Sequence, residues 1–146
     1  MSRLHRAIRL ADRFLPVGVA DAHCDVPCGI YDPRDALQAA DTVIKMTSLI
    51  EDLKGKDFSD IHNQHALARC VIVKEEHAKK AKDDLLVIWT DYFKPDHLAK
   101  YTDLHELVWK ACKLGSYVKQ NVDLEKANEF KSAIQKVADI FWETKK

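Results

Sequence analysis

The densest group of metal-binding side chains lies near the N-terminus, in the segment ADAHCDVPCGIYDP at residues 20–33. His23, Cys24 and Cys28 fall within six residues of one another, and Pro27 precedes the second cysteine. The segment cannot itself be helical, although most of the remaining sequence has a helical pattern. Thiolates and imidazole are ligands for zinc, copper and nickel. The segment therefore indicates either metal chemistry or a chance grouping of cysteines.

Two familiar cysteine sites fit this spacing poorly. A structural zinc site needs a second pair of ligands, and the remaining cysteines, Cys70 and Cys112, each stand alone within a helical pattern. We expect both to be small buried side chains. A thioredoxin-type redox pair has two residues between its cysteines, whereas three residues separate Cys24 from Cys28.

A cut between Ala22 and His23 would create a different kind of site. His23 would gain a free α-amine, whose usual pKa is about 7.7–8.0 and which a metal easily deprotonates. That amine, the backbone nitrogen of Cys24 and the sulfurs of Cys24 and Cys28 form a planar set of two nitrogens and two sulfurs. This geometry is associated with Ni(II) or Cu(II), and the His23 ring is left for the axial position. Redox catalysis at the metal becomes feasible.

Residues 1–22 differ from the rest of the chain and are predicted to be a removable leader. Four arginines against two aspartates give them a formal charge of +2. Their small-x-small ending, residues 20–22, has the form that a secretory peptidase accepts. Their apolar region is short and interrupted for a signal peptide, so export is the less favoured interpretation.

The remainder of the chain is predicted to be all-α. Apolar residues recur at steps of three and four, the spacing of one helix face. The predicted inward residues of the second helix are Leu67, Val71, Ala78, Ala81, Leu85 and Ile88, and those of the last helix are Ala127, Phe130, Ile134, Val137 and Phe141. The expected helices run from Pro33 to just before Gly55, from about Ser59 to Trp89, from about 96 to 120 with a break near Asp103, and onward from Asp123. Short polar connections between them indicate an antiparallel four-helix bundle with an N-terminal metal-binding hook.

Charge and hydropathy disfavour several classes of partner. The 146 residues contain 23 basic and 23 acidic side chains, so the sequence does not indicate binding to nucleic acid or to an anionic membrane. The longest apolar run after the leader, Leu85 to Trp89, is far shorter than the ~20 residues that cross a bilayer. We predict one globular domain over residues 23–146.

The segment HCDVPCGIYDP resembles the metal hook of the nickel superoxide dismutase family, H-C-D-x-P-C-G-x-Y-D-P. The resemblance continues in WTDYFKP at residues 89–95 and in IFWETKK at residues 140–146, so it covers the chain from His23 to its end. Residues 1–22 resemble the family's propeptide, which a dedicated peptidase removes. The resemblance implies a cytoplasmic homohexamer of four-helix subunits. Each subunit would hold a nickel ion that cycles between +2 and +3 as superoxide is dismuted to oxygen and hydrogen peroxide.

The resemblance also implies the metal ligands. His23 would give its amine and, in the oxidised state, its ring. Cys24 would give its sulfur and its amide nitrogen, and Cys28 its sulfur. Asp25 and Pro27 would shape the hook, residues 23–31.

Three further residues are implied to be catalytic. Tyr31 would shape the end of the hook. Tyr92 and Lys94 would line the approach to the metal, where a lysine attracts an anion and a tyrosine orders water or limits access.

The sequence departs from the family pattern beside the axial ring. In one branch of the family a glutamate and an arginine from the first two helices hold this imidazole, and the corresponding positions here are Ala39 and His77. His77 is predicted to replace part of that pair, since such partners set the orientation of a ligand. No role is predicted for the histidines His62, His65, His97 and His105.

Two other functions would use the same hook. A nickel or copper chaperone would bind the metal and hand it over, and a purely structural bundle would carry an inert hook. Neither function needs Tyr31, Tyr92 and Lys94 around the site. Turnover of superoxide by the processed, nickel-loaded protein would distinguish an enzyme from both.

Overall fold

A computed structural model describes residues 30–145 of the chain. Its helices are α1 (Arg34–Glu51), α2 (Ile61–Val87), α3 (Pro95–Lys100), α4 (Leu104–Gln120) and α5 (Leu124–Thr144). A π-helical turn, Ile88–Tyr92, continues α2. Residues 30–145 contain no β-strand, and none of their helices is long and apolar enough to cross a membrane. The predicted all-α class is confirmed.

The four long helices form the predicted antiparallel bundle. α1 packs against α2, α2 against α4, α4 against α5, and α5 against α1. The end of α2 meets the start of α4, where Trp89 Nε1 donates to His105 Nδ1 at 3.0 Å. The end of α5 meets the start of α1, where Lys145 Nζ donates to the carbonyl oxygen of Tyr31 at 2.9 Å. The chain therefore runs up, down, up and down, as in simple four-helix bundles.

Local sequence explains where three of the four long helices begin. The carboxylates of Asp32, Asp60 and Asp123 each accept a backbone N–H from the first turn of the following helix, at 2.9 Å. Aspartate is favoured at these positions because the first N–H groups of a helix have no partner within it. Gly55 follows α1 with a φ of 77°, a left-handed conformation that favours glycine.

The core consists of the predicted apolar stripes. In α5 all five predicted inward residues are buried, namely Ala127, Phe130, Ile134, Val137 and Phe141. In α2 the predicted stripe is fully buried only from Ala78 onward, and no residue of this helix before Lys74 is buried. The packed core therefore lies toward the end of the bundle at which α2 finishes.

A lysine lies inside the bundle among these apolar residues. Lys74 is 2% exposed, and its Nζ donates to the carbonyl oxygens of Val118, Lys119 and Asn121 at 2.6, 3.0 and 2.8 Å. These carbonyls close α4, whose C-terminal end carries partial negative charge and favours a cation. Burial lowers the pKa of Lys74 because desolvation penalises the ammonium form, and Glu75 partly offsets this effect. Lys74 thereby ties the middle of α2 to the end of α4.

Candidate metal centre and its approach

One end of the bundle brings together three segments that are distant in the sequence. Tyr31 lies immediately before α1, residues 89–95 connect α2 to α3, and Thr144 and Lys145 close α5. We call this the hook end, because the predicted hook leads into α1 there. The three segments are those that carry the sequence resemblance.

Tyr31 and Tyr92 meet at the hook end. Their ring centroids are 5.8 Å apart and the ring planes are inclined by 60°. Tyr31 is only 8% exposed. The Tyr92 ring also packs against Phe141 of α5, with 4.4 Å between the centroids. The last residue of the hook therefore lies against the tyrosine of the second motif.

The hydroxyl group of Tyr92 is held by the end of α5. Tyr92 closes the π-helical turn, a feature often found at functional sites. Its hydroxyl oxygen lies 3.0 Å from Thr144 Oγ1. Thr144 donates its own proton to the carbonyl oxygen of Phe141 at 2.9 Å, so the Tyr92 O–H donates to Thr144. Toward any other group, the Tyr92 oxygen can therefore only accept a hydrogen bond.

Lys94 follows the π-helical turn and is exposed. Its backbone N–H donates to Nδ1 of His97 at 3.2 Å. The His97 ring in turn stacks on Tyr92, with centroids 5.7 Å apart and an interplanar angle of 27°. His97, for which no role was predicted, thus contacts both residues of the predicted approach. The exposed ammonium group of Lys94 adds positive charge to the hook end.

The carboxylate of Asp32, the residue after Tyr31, is paired with an arginine. Asp32 accepts from Arg34, with Nε 2.8 Å from Oδ2. This hydrogen bond holds the pKa of Asp32 below its usual value, against the opposing effect of burial, and the charge of Lys145 contributes in the same direction as Arg34. The negative charge of Asp32 is therefore balanced locally.

His77 and Ala39, the two positions predicted to depart from the family pattern, line a single groove between α1 and α2. The groove has a volume of about 240 Å³, and its other lining residues are Asp35, Gln38, Thr42 and Lys80. His77 Nδ1 lies 2.8 Å from the carbonyl oxygen of Val73. A carbonyl oxygen only accepts, so Nδ1 carries the proton and Nε2 of the neutral ring is an acceptor.

The predicted metal ligands His23, Cys24 and Cys28 lie outside the described residues, as do Asp25 and Pro27. Within residues 30–145, no group of three His, Cys, Asp or Glu side chains is arranged to hold a metal ion. The donor set that the hook offers is two thiolates, an amine, an amide nitrogen and an imidazole. Soft thiolates with nitrogen donors suit nickel, so the residues present fit this metal.

The other two cysteines, Cys70 and Cys112, are half-buried free thiols. Burial raises the pKa of the Cys112 thiol, which disfavours the thiolate that binds metals. Both behave as small packed side chains, although neither is as fully buried as the sequence predicted.

Sequence reasoning missed four residues that organise the bundle. His97 could have been suspected, because it lies three residues after Lys94 at a helix start, a spacing typical of capping contacts. Thr144 and Lys145 belong to the segment IFWETKK, but no local pattern indicates that they reach Tyr92 and Tyr31. Lys74 would ordinarily be assigned to the surface.

A four-helix bundle that follows a hook with predicted thiolate and nitrogen ligands is what we expect of a redox-active helical-bundle metalloprotein. The sequence pattern of the nickel-containing superoxide dismutases matches residues 18–145. The chain is 38% identical to the nickel superoxide dismutase of Streptomyces coelicolor over 137 residues, which cover 94% of this chain and 98% of that protein. Its identity to the corresponding protein of Streptomyces seoulensis is 39%, with the same coverage. The chain belongs to the nickel-containing superoxide dismutase family.

Solved structures agree with this assignment. The native structure of a nickel superoxide dismutase is 40% identical and superposes with a TM-score of 0.71, covering 85% of this chain and 100% of that chain. A structure with nickel ligation corresponding to the oxidised state has a TM-score of 0.73, an identity of 38%, and coverage of 84% and 98%. The bundle described above is therefore the fold of this family.

Proposed function

We infer that this chain is a nickel-dependent superoxide dismutase, which converts superoxide to oxygen and hydrogen peroxide. The observation that carries this inference is the family match over residues 18–145. The matched range contains every fixed position of the hook motif, from His23 to Pro33. It also contains the segments that meet at the hook end.

The hook is the proposed metal site. The amine and ring of His23, the sulfur and amide nitrogen of Cys24 and the sulfur of Cys28 would hold the nickel. When bound, nickel supplies one-electron exchange between its +2 and +3 states. The assignment requires a chain that begins at His23, because in the uncut chain that nitrogen belongs to a peptide bond. Asp25 and Pro27 would shape the loop between the two cysteines.

The hook end would provide the approach for superoxide, a small anion. The exposed Lys94 would raise the local concentration of anions through its charge. Tyr92 donates its proton to Thr144, so its oxygen can accept a hydrogen bond from a water molecule at this position. Tyr31, packed against Tyr92, would limit the space beside that water. These contacts support assigning Tyr31, Tyr92 and Lys94 to the approach.

His77 would orient the His23 ring. A metal-bound histidine usually donates its other ring N–H to a nearby acceptor. Nε2 of His77 is such an acceptor, because Nδ1 donates to Val73. The shared groove of His77 and Ala39 supports this role, since Ala39 leaves open the space that a longer side chain would fill.

Processing and assembly complete the proposal. Residues 1–22 would be a propeptide that a leader peptidase removes, and residues 23–146 would be the mature domain. The family resemblance supports a homohexamer in the cytoplasm. Exposed apolar side chains support association of subunits, since Ile61, Ile72 and Trp109 are 66%, 56% and 61% exposed.

The test is turnover of superoxide by the processed protein loaded with nickel. We expect rapid catalytic decay that is lost when nickel is removed by a chelator. A metal chaperone would bind nickel without turnover and would release it to an acceptor. Nickel binding without superoxide turnover would therefore refute the enzyme assignment.

A further inference from the structure

The last turn of α5 contacts both tyrosines of the hook end. Lys145 Nζ donates to the carbonyl oxygen of Tyr31 at 2.9 Å, across 114 positions of the sequence. Thr144 Oγ1 lies 3.0 Å from the Tyr92 hydroxyl, across 52 positions. Two consecutive residues thus connect the end of the chain to the start of α1 and to the end of α2.

Lys145 is exposed as a residue, and its ammonium group has two aromatic contacts besides the hydrogen bond to Tyr31. The group lies 5.0 Å from the ring centroid of Phe141 and 5.7 Å from that of Trp142. Such cation–π contacts favour a cation over an aromatic face. Tyr31 is the last residue of the hook, so its carbonyl oxygen is the last backbone acceptor of the hook. A hydrogen bond from a charged donor to this carbonyl fixes the point at which the hook leaves the bundle.

Thr144 fixes the orientation of the Tyr92 side chain. The Thr144 hydroxyl donates to the carbonyl oxygen of Phe141 at 2.9 Å, so it must accept the proton of Tyr92. The phenol group of Tyr92 is therefore held in one orientation. Both contacts come from the same turn of α5, so a shift of that turn would move the hook exit and the approach tyrosine together.

We propose that the C-terminal turn of α5, through Lys145 and Thr144, positions the metal hook relative to Tyr92. Lys145 is a positioning residue, because it would act through the backbone of the hook exit that it contacts at Tyr31. The proposal rests on the proposed function in that the hook must carry the metal. Its structural part, the contact at Tyr31, can be tested without any metal.

The first test is amide hydrogen exchange of the full 146-residue chain without metal. Lys145→Met keeps much of the side chain but removes the donor. We expect exchange in the segment 30–37 to become about tenfold faster, the factor that a hydrogen bond of ordinary net strength contributes. Lys145→Arg should restore protection, because arginine also donates. The control Lys136→Met removes an exposed charge elsewhere on α5 and should leave the segment unchanged.

The second test is the electron-spin signal of Ni(III) in the processed, nickel-loaded protein. Lys145→Met should change the anisotropy or line width of the signal, and Lys145→Arg should return it to that of the parent. Thr144→Val, which removes the acceptor of Tyr92, should slow turnover several-fold, and Thr144→Ser should not.

The outcomes separate this proposal from the proposed function. Unchanged exchange and an unchanged signal in Lys145→Met would overturn the positioning role, whatever the turnover of the parent. An equal change in Lys136→Met would also overturn it, since the effect would then be one of general charge. If the variants show the expected exchange differences but the processed, nickel-loaded parent turns over no superoxide, only the proposed function is refuted.

Discussion

His77 is predicted to replace part of the pair that orients the His23 ring, so its replacement by alanine is informative. Among the described residues that line the groove shared with Ala39, His77 supplies the one imidazole, and His77→Ala removes it. If Nε2 of His77 accepts the free ring N–H of His23, the axial ring loses its orienting partner. The planar ligands of the hook remain, so nickel content should hardly change.

The size of the effect follows from the one hydrogen bond at stake. Loss of an orienting partner of a metal ligand typically lowers activity about 10 to 100-fold. This range corresponds to about 1.4–2.7 kcal/mol of activation free energy, at about 1.36 kcal/mol for each tenfold change. A hydrogen bond to a charged group contributes about 1.5–3 kcal/mol, so one such bond accounts for the range.

The bundle itself should tolerate the change. The bond from His77 Nδ1 to Val73 is lost, but that carbonyl lies within α2 and retains its backbone partner. We expect the free energy of unfolding to fall by about 0.5–1.5 kcal/mol, which leaves the protein folded.

The assay is superoxide decay, together with nickel content and the rhombic Ni(III) signal. His65→Ala removes an exposed histidine of the same helix and serves as the matched control. Glu76→Ala tests a neighbouring side chain that does not line the groove. Parent-like turnover and signal in His77→Ala would show that His23 is oriented without help from position 77. A loss of turnover in Glu76→Ala alone would assign the role to that carboxylate.

Three further changes test other parts of the site and fold. Cys24→Ser or Cys28→Ser replaces a soft thiolate with a hard hydroxyl group, so activity should be abolished while circular dichroism shows an intact bundle; more than a trace of activity would contradict the assigned ligand. Lys94→Gln should lower kcat/KM several-fold at low ionic strength and flatten the salt dependence of kcat/KM. The control Lys113→Gln removes another exposed lysine and should do neither. Equal effects of the two substitutions would argue against local attraction of the anion at Lys94. Lys74→Met should lower the free energy of unfolding by about 2–3 kcal/mol in urea titrations. Because burial lowers the pKa of Lys74, the unfolded chain binds this proton more tightly than the folded chain does. The stability of the parent relative to Lys74→Met should therefore rise with pH between the lowered pKa and the usual value of 10.5. A fall in relative stability over this range would contradict the lowered pKa.

The sequence predicted the helices because their spacing is a local property. The steps of three and four in α5 identified its buried face, and the expected break near Asp103 lies between α3 and α4. Lys74 could not be predicted in the same way. Its burial depends on three carbonyl oxygens that lie 44 to 47 positions later, and no pattern within α2 records them.

In the candidate site, too, the sequence predicts the local features and not the contacts between distant segments. The hook motif predicts the donor atoms from residue types and spacing, which are local properties of the sequence. The contact between Tyr31 and Tyr92 requires that two distant segments meet at one end of the bundle. The π-helical turn Ile88–Tyr92 adds a residue to one helical turn, so a strict helical spacing does not predict where Tyr92 points.

The central claim is that the chain becomes a nickel superoxide dismutase when His23 is its N-terminal residue. The most direct measurement is the rate of superoxide decay with the full 146-residue chain and with a chain that begins at His23, both supplied with nickel. Intact mass and nickel content should be determined on the same samples. We predict rapid turnover and stoichiometric nickel only in the shorter chain, because only there is the His23 nitrogen an amine. Equal turnover by the two chains, or no turnover by the nickel-loaded shorter chain, would contradict this account.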